Sequence, residues 1–242
     1  MRKIAIVFFS VIMTGILGTN ALCEEYSPCG KISDYKYKDG ECDIIVANRN
    51  AGKQIALTFD DGPCREYTKE ILEILRENDA KATFFMIGKN AKEHPEIVLE
   101  VFKEGHEIGN HTYSHPEMRK LSPEKVGEEI LKTQKILKEI TGISPILFRP
   151  PGGYLSNAIV DQITSNGCRT VLWSWRQDTR DWEKPSSDNI VKNVLSNLRD
   201  GDIILFHDYN TKGSPTPGAL RELLPKLCEM GYEFVTVSEL VK

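Results

Sequence analysis

The stretch Leu57-Thr58-Phe59-Asp60-Asp61-Gly62-Pro63 closes an alternating run in which Ile55, Leu57 and Phe59 are the large apolar residues. A period of two marks a strand with one face buried. This strand stops at two adjacent carboxylates and a Gly-Pro turn. Parallel α/β folds place their chemistry at the carboxyl ends of strands, so an Asp-Asp pair there is either a structural turn or one part of a site whose other parts lie further along the chain.

Strand-like and helix-like stretches alternate from Lys53 onward. Strands are predicted at 54–59, 82–87, 107–110, 146–149, 169–174, 202–207 and 233–237. Helices are predicted at 66–77, 93–104, 123–140, 156–166, 187–198 and 217–230, the third opened by Ser122-Pro123. Seven strands with helical crossovers point to a parallel sheet wound with outer helices. Periodicity alone leaves an open doubly wound sheet and a seven-stranded incomplete barrel equally available.

The 242 residues suffice for one large domain, and 40% hydrophobic with 27% charged residues is an ordinary globular balance. Arg2 and Lys3 precede an apolar run from Ile4 to Leu17, with Thr19-Asn20-Ala21 as a cleavage site, so residues 1–21 read as a signal peptide. A retained amino-terminal anchor is the alternative. The expected location is secreted or in the cell envelope. Residues 22–52 read as an extended arm and 53–242 as the domain. Losing Arg2 and Lys3 with the leader takes the formal charge from −4 to −6. No Lys/Arg-rich run follows, which argues against nucleic acid as a partner. The six cysteines, Cys23, Cys29, Cys42, Cys64, Cys168 and Cys228, permit disulfides in an exported chain. One bridge is expected within the amino-terminal segment or from it to the body, and Cys64 is expected to be a buried thiol or half of a disulfide.

Polar groups recur at the other predicted strand ends. His111 and His115, four apart, can present two imidazoles to one metal if the residues between them make a helical turn. With Asp61 they make a two-histidine, one-carboxylate set; otherwise His111 packs in the core and His115 caps the turn at Pro116. His94 and His106 are weaker candidates. Arg149 opens Arg149-Pro150-Pro151-Gly152-Gly153, where it is either a surface charge or the orienting partner of Asp60. Trp173, Trp175 and Trp182, all the tryptophans of the chain, fall within ten residues, as core or as a wall for sugar rings. His207 ends the strand Ile203–Phe206.

In order, Thr58-Phe59-Asp60-Asp61-Gly62-Pro63, His111-Thr112-Tyr113-Ser114-His115, Arg149-Pro150-Pro151, Asp178-Thr179-Arg180-Asp181-Trp182 and Leu205-Phe206-His207 resemble the polysaccharide deacetylase family, also known as the NodB homology domain or carbohydrate esterase family 4. The resemblance covers Lys53 to the carboxyl terminus. It implies an α/β fold, an incomplete (distorted) seven-stranded (β/α) barrel of parallel strands with outer helices. It further implies Asp60 as general base, Asp61, His111 and His115 as ligands of one divalent ion, Arg149 as the residue orienting the base, His207 as general acid and Asp181 as the residue tuning it. Zinc is the expected ion, with cobalt or nickel as substitutes. Gly152, Tyr154 and Trp182 would meet the substrate or its developing oxyanion. The family's third motif commonly continues Tyr-Gly, whereas this chain has Gly152-Gly153-Tyr154. The implied activity is N-deacetylation of N-acetylglucosamine-containing polysaccharide by a monomer, peptidoglycan first and chitin oligomers second. Xylan O-deacetylation and a catalytically silent carbohydrate-binding protein are the alternatives.

Overall fold

Gln54–Asp60 forms β4, the strand on which the sheet is built. Its alternation sorts two sides. Ile55, Leu57 and Phe59 pack outward against helices, while Ala56 joins an inner cluster with Phe85, Leu147, Val171 and Ile203. By the same period Thr58 and Asp60 point inward, and both hydrogen-bond to the fully buried Arg149. In the outer layer the Phe59 ring stacks 4.9 Å from Phe84 and 5.7 Å from Phe206. Such pairs contribute about 0.5–1.5 kcal/mol beyond their burial.

The computed structural model describes residues 44–209 and 213–242, and two short paired strands, β1 (Tyr26–Ser27) and β2 (Gly30–Lys31). The expected leader, Cys23, Cys29 and Cys42 lie outside the described residues. All seven predicted strands form: β4, β5 (Ala82–Met86), β6 (Glu107–Asn110), β7 (Leu147–Phe148), β8 (Arg169–Val171), β9 (Ile203–His207) and β10 (Glu233–Phe234). An eighth, β3 (Ile44–Ile45), comes from the stretch read as an arm and pairs with β8. Every pairing from β3 to β10 is parallel. The order runs β9-β4-β5-β6-β7-β8-β3, with β10 beside the start of β4.

Curling brings the two ends of this wall together. Beyond β8, Ser174 N–H donates to the Ile203 carbonyl at 2.9 Å, and Leu205 N–H donates to the Gln177 carbonyl at 2.9 Å. The result is the expected incomplete barrel, distorted because β7 and β3 have two residues each and irregular chain makes the join to β9. A half-buried ion pair, Arg49 to Asp202 at 2.6 Å, ties the β3 segment across it.

Helices α1 (Tyr67–Glu77), α2 (Gly88–Glu93), α3 (Pro95–Lys103), α4 (Pro123–Thr141), α5 (Asn157–Ser165), α6 (Ser187–Asn197), α7 (Thr216–Glu229) and α8 (Val237–Leu240) accompany the sheet. The predicted helix at 93–104 forms as α3 and starts at Pro95, because proline fits only the first turn of a helix; the short helix α2 ahead of it was not predicted. The last predicted strand is shorter, since Thr236 caps α8 with a reciprocal Thr236–Glu239 capping box. Cys64, Cys168 and Cys228 are free thiols. Among the described residues no helix is long and apolar enough to cross a membrane.

Candidate active site

Strand ends bring Asp60, Asp61, His111, Arg149 and His207 to one rim. Asp60 and His207 are direct partners in the β4–β9 ladder, so they stand side by side at the same height. The turn that follows depends on glycine: a Cβ on Gly62 would lie 2.1 Å from the Asp208 carboxylate, a contact no side chain can make.

Asp61, His111 and His115 converge. The His111 Nε2 lies 3.5 Å and the His115 Nε2 3.3 Å from the Asp61 Oδ1. Donors each about 2 Å from a common tetrahedral centre lie roughly 3.3 Å apart, so the spacing fits one ion. The Asp61 Oδ1 is buried with no hydrogen-bond partner, which is the condition of a ligand atom rather than of a satisfied structural one. The His111 Nδ1 lies 2.7 Å from the Arg149 carbonyl. A carbonyl can only accept, so Nδ1 carries the proton and Nε2 offers its lone pair inward. The residues fit a divalent cation.

The loop between the histidines is not a helical turn. Thr112 (φ 67°) and His115 (φ 53°) take left-handed backbone, as does Asp61 (φ 76°), and the imidazole rings meet at 5.1 Å between centroids. Non-glycine residues in this region store strain that surrounding bonds must hold. Here Asn110 accepts from Thr112 N–H at 2.9 Å, and the Glu129 carboxylate, from α4, accepts from Tyr113 and Ser114 N–H at 2.9 and 2.8 Å. Glu129 was not apparent from the sequence, because sixteen residues and a helix boundary separate it from the loop it holds.

Arg149 is fixed by three acceptors: Asp60 Oδ1 at 2.7 Å, Thr58 Oγ1 at 2.8 Å and the Leu172 carbonyl at 2.9 Å. Burial pulls its pKa below the ordinary value against the Asp60 charge. The surface-charge alternative is excluded, since the guanidinium is inaccessible and lies over the Phe85 ring at 4.2 Å.

On the other flank the His207 Nδ1 lies 2.6 Å from Asp181 Oδ1, and Asp181 Oδ2 accepts from His207 N–H at 2.8 Å and from Thr216 Oγ1 at 2.5 Å. Burial works against charge on His207, but the hydrogen bond and charge of Asp181, with Asp60 and Asp61 behind it, push its pKa up to about 9. Burial likewise opposes the Asp61 carboxylate, and His111 outweighs it, holding Asp61 down at about 2. Burial lowers the pKa of His115.

Gly152 and Tyr154 line a cleft of about 440 Å³ beside His115, and Arg119 lies over the Tyr154 ring at 5.3 Å. Tyr154 therefore stands at the rim despite its displaced place in the motif. Trp182, 52% exposed, lies on the opposite flank, next to Asp181. His106 precedes β6, at the far end of that strand from His111, and packs edge-on against Phe84; His94 stands at the position before α3 without a side-chain capping hydrogen bond. Cys64 stays outside the cluster, its thiol donating to the Asp208 carbonyl at 3.1 Å. Asp208 is buried, and burial pushes its pKa up to about 7.

Residues 47–171 match the polysaccharide deacetylase family model. A peptidoglycan-N-acetylglucosamine deacetylase of Bacillus cereus is 48% identical over 80% of this chain and 90% of its own. A chitooligosaccharide deacetylase of Azorhizobium caulinodans is 39% identical over 80% and 95%. Among solved structures, a peptidoglycan N-acetylglucosamine deacetylase in complex with 4-naphthalen-1-yl-N-oxidanyl-benzamide superposes with a TM-score of 0.76 at 38% identity, over 81% of this chain and 91% of that one. The chain belongs to the polysaccharide deacetylase family.

Proposed function

We propose that this polysaccharide deacetylase hydrolyses the acetamido groups of an N-acetylglucosamine-containing glycan, peptidoglycan in first place, acting as a monomer outside the cytoplasm. What carries it is convergence: two imidazole nitrogens meet an unpartnered oxygen of Asp61 to make three metal-type donors, with Asp60 beside them and His207 opposite Asp60 in the ladder. The 48% identical relative favours peptidoglycan over the chitooligosaccharides named for the 39% identical one. The leader pattern of residues 1–21 supports export. Intact acid, base and metal donors speak against a silent binding protein.

A divalent cation on Asp61, His111 and His115, zinc first, supplies Lewis-acid chemistry, lowering the pKa of water and polarising the acetamide carbonyl. Asp60, held by Arg149, takes a proton from the attacking water as the new carbon–oxygen bond forms. Negative charge gathers on the carbonyl oxygen, where a backbone N–H near Gly152 meets it. His207 gives its proton to the nitrogen as the carbon–nitrogen bond breaks, so the leaving group departs as a neutral amine. Acetate and a free amino sugar result.

The test is acetate release from bacterial peptidoglycan by the metal-loaded protein, beside His207→Ala and a chelated sample. Release that drops by roughly 10² to 10⁴ in the variant is expected. Background release from all three would sink peptidoglycan as substrate and move the search to chitin oligomers and acetylated xylan.

A further inference from the structure

We propose that the cleft between the chain beyond β8 and helix α6 is a distal glycan subsite, holding sugar units beyond the one being deacetylated; this rests on the glycan substrate proposed above. The cleft has a volume of about 880 Å³, within the range of ligand sites, and aromatic walls with a few polar groups are their usual lining. Trp173, Trp175 and Trp182 all line it, and Trp175 and Trp182 are each 52% exposed. Two large indoles left half uncovered are unusual on a folded surface.

The facing wall carries Asn189, with Asn193 one helical turn further along α6 and on the same side, its amide held by the Asp178 carbonyl and by Asn197. Flat indoles suit the C–H faces of pyranose rings, and amides both donate to and accept from hydroxyl groups. Charge points the same way. Arg180 on the rim is neutralised by Glu183 at 2.5 Å, and Asp178 lies beside Arg176. The cleft has no one-signed field of the kind that selects a polyanion, so a neutral polymer fits it.

The cleft opens beside the reaction centre. Trp182 directly follows Asp181, whose carboxylate holds His207, and the Trp173 ring is 5.8 Å from the Arg149 guanidinium. A glycan with one acetamide at His207 that runs over Trp182 would enter this cleft toward Trp175 and Asn189.

These three indoles are all the tryptophans of the chain, so selectively excited tryptophan fluorescence reads this cleft alone. Metal-loaded and chelator-treated protein would each be titrated with N-acetylglucosamine oligomers from dimer to hexamer. A saturable emission change is expected in both, tightening with length. Trp175→Leu and, on the facing wall, Asn189→Ala should each weaken hexamer binding by about tenfold. No emission change with any oligomer, or wild-type hexamer affinity in both variants, overturns the subsite. A parallel acetate assay separates the two proposals. Length-dependent binding without acetate release from any glycan leaves the subsite standing and fails the deacetylase reading. Acetate release with a hexamer KM that Trp175→Leu does not raise removes the subsite and keeps the activity.

Discussion

Asp61 and Asp181 are two carboxylates on one rim, each beside a histidine, and they are bonded in opposite ways. Asp181 is saturated: its two oxygens take the His207 ring, the His207 backbone and the Thr216 hydroxyl. Asp61 has a buried oxygen with no partner, facing two imidazole nitrogens. A saturated carboxylate orients its histidine and sets its proton affinity. An unsaturated one, ringed by lone pairs, is complete only with a cation. The same two residue types therefore make a hydrogen-bonded ion pair on one flank and a metal-type cluster on the other, and the difference lies in which hydrogen bonds the surrounding chain supplies.

Removing the unsaturated side should have the largest effect. Asp61→Ala takes away the carboxylate ligand, and acetate release should fall to the level of the chelated protein, with zinc binding lost in calorimetric titration. Zinc binding at wild-type affinity in that variant would remove the metal centre as described. On the saturated side, His207→Ala should lower acetate release by roughly 10² to 10⁴ while zinc still binds, so the two measurements together separate the flanks.

Next in size is the loop that shapes the metal side. Glu129→Gln weakens the acceptor of the Tyr113 and Ser114 N–H groups, and outer partners of metal ligands are worth roughly 10- to 100-fold in affinity. Zinc affinity should fall within that range, with the alkaline limb of the pH profile unmoved.

The smallest expected effect is a displacement of that limb. In the proposed role of acid His207 must be protonated, so with its pKa at about 9 the rate should hold up to that pH and decline above it. Asp181→Asn removes the charge that opposes burial, and the limb should move down toward or below the ordinary imidazole value of 6.5. At pH 6 the variant should keep much more of its activity than at pH 8.5. An unmoved limb would mean that Asp181 does not set the proton affinity of the acid.

Much of this was legible because the chemistry is carried by side chains at strand ends. Alternation located β4, β5, β6 and β9, and the polar residues ending three of them, Asp60, His111 and His207, could be read as neighbours since parallel strands end on one face. β3 was legible only in part: Asp43–Ala47 is the one patterned run in a stretch read as an arm, and Ile44 and Ile45 become a strand because β8 offers an unpaired edge. Glu129 escaped for a related reason, its function being a set of hydrogen bonds to backbone in a distant loop. The helical turn expected between His111 and His115 gave way to left-handed backbone because Asn110 and Glu129 together hold the intervening amides.

By itself the sequence determined which residues could be base, acid and ligands, the alternation of strands with helices, and membership of a family. Those follow from local periodicity and from residue chemistry, which a linear chain displays. Only the tertiary structure decided that the sheet curls until chain beyond β8 bonds to β9, that Arg149 is buried against Asp60 rather than exposed, and which aspartate is saturated. Each of these depends on which backbone groups meet across long separations in sequence. A hydrogen bond exists only once both partners are in place.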